Sequence, residues 1–192
     1  MIYLQNPQVV DNNWYTIVDN VFSDEHLRAI EEYKKNNEFQ KAEVFANLEE
    51  PEVLEIRDSK IMWLEPKEIL HPVYDSLSKM ITYQNNFKWH YSLQFIETLQ
   101  YTQYSDNGYY KYHTDGPPWD PEGNVRKLSF SILMSESDSY QGGGFTFPTH
   151  GTIDLKFNQA VVFPGFMPHQ VEPVTSGTRE SIVGWVQGPN FI

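Results

Sequence analysis

His113 and Asp115 stand two residues apart in the stretch Tyr109-Tyr110-Lys111-Tyr112-His113-Thr114-Asp115-Gly116. In an extended strand successive side chains alternate, so residues two apart turn to the same side, whereas a helix would separate them. An imidazole and a carboxylate on one side can ligate a divalent metal, but two ligands do not hold one firmly. Of the six histidines, His26, His71 and His90 precede the strand-rich part of the chain, and His150 lies in the turn Thr149-His150-Gly151. His169 is the remaining candidate for a third ligand, and only folding can return it to His113. Two histidines and one carboxylate on one side of a metal leave three positions open, the donor set of non-haem Fe(II) centres that activate dioxygen. The plain alternative is a hydrogen-bonded pair on a strand surface.

Arg179 follows Gly177-Thr178 and begins an apolar run, Ser181-Ile182-Val183-Gly184-Trp185. A guanidinium aimed inward needs an anion, and its rigid fork suits a carboxylate. With no internal carboxylate assigned to it, a bound dicarboxylic acid is a reasonable partner. A salt bridge at the strand end is the competing explanation.

The elements that must position these residues are mostly strands. Trp14 to Asp19 reads as an edge strand. Ser23 caps a helix in which Leu27, Ile30 and Tyr33 recur at helical spacing, with His26 making surface hydrogen bonds in its first turn. Residues 36 to 56 read as loop, and Ile56 to Leu64 as one strand with Arg57, Ser59, Ile61 and Trp63 on one side. That strand either faces the substrate or lies at an edge with Arg57 solvated. His71 should be held non-helical by Pro72, followed by a helix over 72 to 84 that ends at Asn85-Asn86. From Trp89 the period shifts toward two: one or two strands to Tyr104, a turn at Asn107-Gly108, a strand from Tyr109 to His113, and a loop over 116 to 123 at the mouth of any site. Strands follow at Lys127 to Ser135, Thr152 to Phe157, Gln159 to Phe163 and His169 to Val174, then a turn at Ser176-Gly177 and a last strand from Arg179 to Gln187. This is the pattern of an all-β core with flanking N-terminal helices, a jelly roll. A dinucleotide-binding fold is excluded in practice, because strands and helices do not alternate.

The 192 residues fit a single domain, with 1 to 88 as support and about 89 to 187 as core. The net charge of -12 disfavours nucleic acid as a partner. Cysteine is absent, which removes disulfides and thiolate ligands. No apolar run reaches membrane-spanning length and no signal-peptide pattern opens the chain, so the expectation is a soluble cytoplasmic protein without a membrane partner.

His113-x-Asp115, Leu128-Ser129-Phe130-Ser131, Tyr140-Gln141-Gly142-Gly143-Gly144, Val162-Phe163-Pro164, His169, the run Val171 to Arg179, and Gly184-Trp185 occur in an order that resembles the 2-oxoglutarate- and Fe(II)-dependent dioxygenases. Within them the chain is most similar to the prolyl 4-hydroxylase-like branch and its PKHD-type hydroxylases. The resemblance covers about residues 89 to 187. It implies a double-stranded β-helix, a cupin-like jelly roll, with Fe(II) on His113, Asp115 and His169 and the distal carboxylate of 2-oxoglutarate on Arg179. By the same resemblance Ser181 supports that carboxylate, Tyr104 donates a hydrogen bond to 2-oxoglutarate, Tyr110 lines its pocket, and ascorbate is a further candidate cofactor. Related halogenases lack the carboxylate ligand, so Asp115 favours hydroxylation. The implied substrate is a prolyl or other amino-acid residue of a peptide or protein. A free amino acid or other small molecule is the alternative, and a non-catalytic ligand-binding jelly roll the reading from another class. Arg57, Trp63, Trp89, Gln94 and Trp119 are candidate pocket or rim residues; the oligomeric state is left open.

Overall fold

A computed structural model describes residues 14–42, 56–121 and 123–191. The expected edge strand is β1, Thr16–Val18. Helix α1, Asp24–Lys35, starts where expected. Ser23 Oγ accepts the His26 amide at 3.3 Å, and His26 Nδ1 accepts the Ser23 amide at 3.4 Å, so His26 is half of a reciprocal cap. Most of the stretch read as loop over 36 to 56 lies outside the described residues, apart from the short β2, Gln40–Lys41.

The strand expected over 56 to 64 is two strands. β3, Arg57–Asp58, and β4, Lys60–Leu64, enter different sheets, the chain crossing between them at Ser59. A 3-10 turn at Glu68–Leu70 leads into α2, His71–Lys88. His71 is helical (φ -55°, ψ -42°), contrary to expectation. Proline in a first turn forfeits no intrahelical hydrogen bond, and His71 Nε2 is tied to the Pro66 carbonyl at 3.0 Å. Nor does the helix stop at Asn85. That side chain is buried and brackets Tyr91, accepting its amide and donating to its carbonyl, both at 2.9 Å.

Trp89 caps α2 rather than opening a strand. The next strands are β5, Phe95–Ile96, β6, Leu99–Ser105, and β7, Tyr109–His113. After the loop come β8, Asn124–Leu133, β9, Tyr140–Gly142, β10, Phe145–Phe147, and β11, Gly151–Ile153. The chain closes with β12, Ala160–Pro164, β13, His169–Val171, and β14, Val174–Pro189. No turn occurs at Ser176-Gly177: β14 runs through it, Gly177 taking φ +73° opposite Tyr140 of β9. All pairings are antiparallel.

The larger sheet has the order β1-β12-β8-β14-β6-β4-β2, with β5 and β9 also paired to β14; the smaller is β11-β10-β13-β7-β3. Period-two alternation divides the larger sheet cleanly. Met62, Leu64, Leu99, Tyr101, Leu128, Phe130, Ile132 and Ile182 face one way and share a core with Ile30 and Tyr33 of α1 and Val73, Leu77 and Ile81 of α2. The residues between them face the smaller sheet, where Tyr104, Leu133, Val161 and Phe163 pack with Phe145, Phe147 and Val171. Each such aliphatic or aromatic side chain contributes roughly 1.5–3 kcal/mol by leaving water. This is the double-stranded β-helix, a two-sheet jelly roll with its helices on one outer face. No helix among the described residues is long and apolar enough to cross a membrane.

Candidate metal centre and its cavity

The inward face of the larger sheet is polar over part of its area. Gln100 and Thr102 of β6, Ser129 and Ser131 of β8, and Arg179 and Ser181 of β14 are all buried there. Sandwich interiors are ordinarily apolar, so this patch marks a place where the sheets leave room for something other than side chains. A cavity of about 560 Å³ lies between the sheets, bordered by Gln100, Ser131, Ser181, Tyr104 and Trp185 on one side and by Tyr110, His113, Asp115 and His169 on the other.

His113 and His169 are cross-strand partners on β7 and β13, so register alone brings them together. Their ring centroids are 4.3 Å apart. Asp115 begins the loop after β7, where its amide donates to the Gly165 carbonyl at 2.9 Å. Its carbonyl in turn accepts Arg126 Nη1 at 3.1 Å, and Arg126 is held by both carboxylate oxygens of Glu97 at 2.7 and 2.6 Å. His113 Nε2 lies 3.7 Å from Asp115 Oδ1 and His169 Nε2 3.7 Å from Oδ2. These spans are too long for hydrogen bonds, and the ligand atoms of all three side chains lie within 4.8 Å of one another.

Both imidazoles are oriented from behind. His113 Nδ1 lies 2.8 Å from the Lys111 carbonyl and His169 Nδ1 3.0 Å from that of Met167. Donation to a carbonyl fixes the proton on Nδ1 and leaves Nε2 as a lone-pair donor aimed at Asp115. Burial, then the neighbouring His169, lowers the His113 pKa to about 4, so the ring is neutral at neutral pH. Burial pushes the Asp115 carboxyl upward, yet His169 and His113 outweigh it and hold the group below its ordinary range. Asp115 Oδ2 is buried without a hydrogen-bond partner among the described residues. A carboxylate so placed, with one imidazole lone pair near each of its two oxygens, fits a divalent cation better than it fits an ordinary hydrogen-bonded pair.

Tyr110 was expected near His113, but strict alternation would turn residues three apart to opposite faces. A register shift between the pairs His169–His113 and Val171–Tyr110 supplies the extra residue. The Tyr110 ring therefore stacks on His113 with centroids 3.5 Å apart. Burial raises its phenol to about 12.

Arg179 is 1% exposed and donates to Ser181 Oγ at 3.2 Å. No carboxylate among the described residues pairs with it, so the salt-bridge alternative falls. Burial lowers its pKa against the pull of Tyr104 and Tyr140, but an arginine stays charged. An uncompensated buried ion costs roughly several kcal/mol, so the surroundings of Arg179 suit an anionic ligand. Tyr104 is its cross-strand partner, the guanidinium carbon lying 5.9 Å from that ring. Arg179 borders a smaller adjoining cavity of about 290 Å³, while Ser181 and Tyr104 border the larger one and Phe145 borders both.

Of the other candidates, Arg57 and Trp63 line the large cavity. Trp89 is at the end of α2, Gln94 pairs through its backbone with Gln187, and Trp119 is exposed in the loop; none of the three borders it. Gln100 and Arg126 border it without any mark in the sequence, and Ser131 and Trp185 border it and enter the sequence reading only as parts of the motifs Leu128-Ser129-Phe130-Ser131 and Gly184-Trp185. The trace of this polar wall in the sequence was Ser129 and Ser131 at alternate positions of an otherwise apolar strand.

A family model described as the 2OG-Fe(II) oxygenase superfamily matches residues 99–187, the stretch that holds all three candidate ligands and Arg179. That match covers 89 of the chain's 192 residues. The cofactors of this superfamily are Fe(II) and 2-oxoglutarate. The chain is 38% identical over 89 residues to a PKHD-type hydroxylase of Azoarcus sp. (strain BH72), a match covering 43% of this chain and 39% of that relative. It thus spans about two fifths of the length of that curated relative. In fold it is similar to the viral collagen prolyl hydroxylase of Paramecium Bursaria Chlorella virus-1, with a TM-score of 0.69 and 22% identity over 93% of this chain and 98% of that one. A prolyl-4-hydroxylase of Pseudomonas putida gives a TM-score of 0.70 at 18% identity, covering 94% and 95% of the two chains. The likeness in fold therefore extends well beyond the residues that the family model matches.

Proposed function

We propose that this chain is a 2-oxoglutarate-dependent Fe(II) dioxygenase that hydroxylates an unactivated C–H bond, foremost in a prolyl or other amino-acid residue of a peptide or protein. The observation that carries this reading is the convergence of His113, Asp115 and His169 on a cavity beside which Arg179 is buried, in an adjoining cavity, with no carboxylate partner among the described residues. Likeness to PKHD-type and prolyl hydroxylases supports it. In the overall reaction one oxygen atom of dioxygen enters the C–H bond and the other enters succinate, with release of carbon dioxide.

His113, Asp115 and His169 would hold Fe(II), and Arg179 with Ser181 and Tyr104 would hold the far carboxylate of 2-oxoglutarate. Bound together, the metal and co-substrate supply the oxidising chemistry. The chain's own contribution is position. The Lys111 and Met167 carbonyls fix the tautomers, Tyr110 wedges against His113, and the Glu97–Arg126 pair anchors the Asp115 backbone. Phe145, Phe163 and Trp185 restrict water around the reacting C–H bond.

The test is anaerobic addition of 2-oxoglutarate to the Fe(II) protein, which should produce the visible charge-transfer band of chelation. His113→Ala and His169→Ala should abolish both the band and tight iron binding. Wild-type iron affinity in those variants would sink the ligand assignment, and a ligand-binding module without turnover would show no band at all. Succinate formation stimulated by a peptide panel, with product heavier by one oxygen, would establish the substrate class.

A further inference from the structure

Arg57 is a second buried arginine, in the wall of the large cavity on the smaller sheet, whereas Arg179 stands on the larger sheet beside the adjoining cavity. Arg57 is 6% exposed and lies in the two-residue strand β3. Its Nε donates to Ser59 Oγ and its Nη2 to Gln100 Oε1, both at 2.8 Å. The guanidinium carbon sits 4.7 Å from the centroid of the Tyr110 ring, the ring that stacks on His113. Every one of these partners is neutral. A guanidinium has five N–H donors, so the remaining ones are open to a ligand, and no carboxylate among the described residues pairs with it.

Charge balance sharpens the point, resting on the function proposed above. The two positive charges of Fe(II) and that of Arg179 are matched by Asp115 and the two carboxylates of 2-oxoglutarate. Arg126, the other arginine bordering the cavity, is matched by Glu97. The charge of Arg57 is left over in a buried setting where an unmatched ion is costly. We infer that Arg57 is the receptor for a carboxylate of the substrate to be oxidised, so that the preferred substrate presents a carboxylate close to the C–H bond that reacts. Gln100 and Ser59 orient the fork, and Tyr110 keeps it within one ring of the His113 imidazole. The carboxylate is either the free α-carboxylate of an amino acid or peptide terminus, or an acidic side chain within a peptide.

The probes are N-acetyl-L-amino acids and their amides, together with capped peptides containing Asp or the matched Asn. Binding is read by fluorescence of Trp63 and Trp185, which line the cavity, in both metal-free and iron-loaded protein. Acids should bind at least about tenfold more tightly than their amides, and Arg57→Gln should bring that ratio to about one. The same variant should retain the 2-oxoglutarate charge-transfer band with little change in affinity, and its melting temperature reports folding. N-acetyl acids with high affinity indicate a free α-carboxylate; Asp peptides with high affinity indicate a side chain. Equal binding of acid and amide, or a ratio unchanged in Arg57→Gln, overturns the inference. So does loss of the band in Arg57→Gln with its retention in Arg179→Gln, since Arg57 would then hold the co-substrate. Absence of the band in wild-type protein sinks the dioxygenase reading alone, because the acid-to-amide ratio is measured without metal as well.

Discussion

At the scale of single residues, the two buried arginines differ from the third in what faces them. Arg126 has a bidentate carboxylate in Glu97, whereas Arg179 and Arg57 have only hydroxyl, amide and aromatic partners. Polar neighbours can satisfy N–H groups but cannot neutralise a charge, which is why anionic ligands are proposed at these two positions. Removing one partner of a buried, hydrogen-bonded charge pair costs about 2–5 kcal/mol. Arg179→Gln should therefore weaken 2-oxoglutarate by roughly 30-fold or more, read from titration of the charge-transfer band, with iron affinity unchanged. Arg179→Lys should recover only part of the loss, because an ammonium lacks the planar fork.

At the scale of elements, β14 matters most: it pairs with β8, β6, β5 and β9 and faces the cavity on one side and the helices on the other. Gly184 lies between Ile182 and Val186 on the face that β14 turns to the helix-side core. A Cβ there would lie 2.2 Å from Phe130 Cζ and 2.8 Å from Leu99 Cδ2. Both neighbours are buried rings or branches with little room to yield. Gly184→Ala should lower stability by about 1–3 kcal/mol, seen as a lower urea midpoint with unchanged slope. Adding Phe130→Leu should restore part of it. The register shift on β7 is the comparable element on the smaller sheet, and it decides that Tyr110 reaches His113 at all.

At the scale of the whole molecule, the helices and the inner sandwich share the larger sheet, and we propose that the chain unfolds as one unit. Far-ultraviolet dichroism and tryptophan fluorescence should then give coincident denaturation curves. The metal-free protein should also lose stability in acid. His113 is neutral when folded, with a pKa of about 4, against 6.5 when free. Between those values the unfolded state binds the extra proton, so stability is full above about pH 6.5 and falls as pH drops toward 4. Asp115, lowered as well, extends the loss further into acid. His113→Gln should flatten the upper part of this profile in urea titrations at a series of pH values.

The sequence by itself determined the class of fold and named the residues on which the proposed chemistry rests. His-x-Asp, the later His169 and Arg179 carry their meaning in residue type and order, and alternation in β8 and β14 follows from the strict period of a strand. The capped start of α1 was equally legible, because Ser23 and the apolar spacing act locally. Tertiary structure decided the rest. One extra residue in β7 brings Tyr110 to His113, and a crossing at Ser59 sends Arg57 and Trp63 to different sheets while both still border the cavity. His71 could be helical despite Pro72 because the Pro66 carbonyl holds its side chain. Arg126 and Gln100 could not be told from surface residues, since nothing local says which partner a polar side chain will meet. Register, bulges and burial depend on residues distant in sequence, and it is they that turn a list of candidate ligands into a cavity with one unmatched charge in its wall and another beside it.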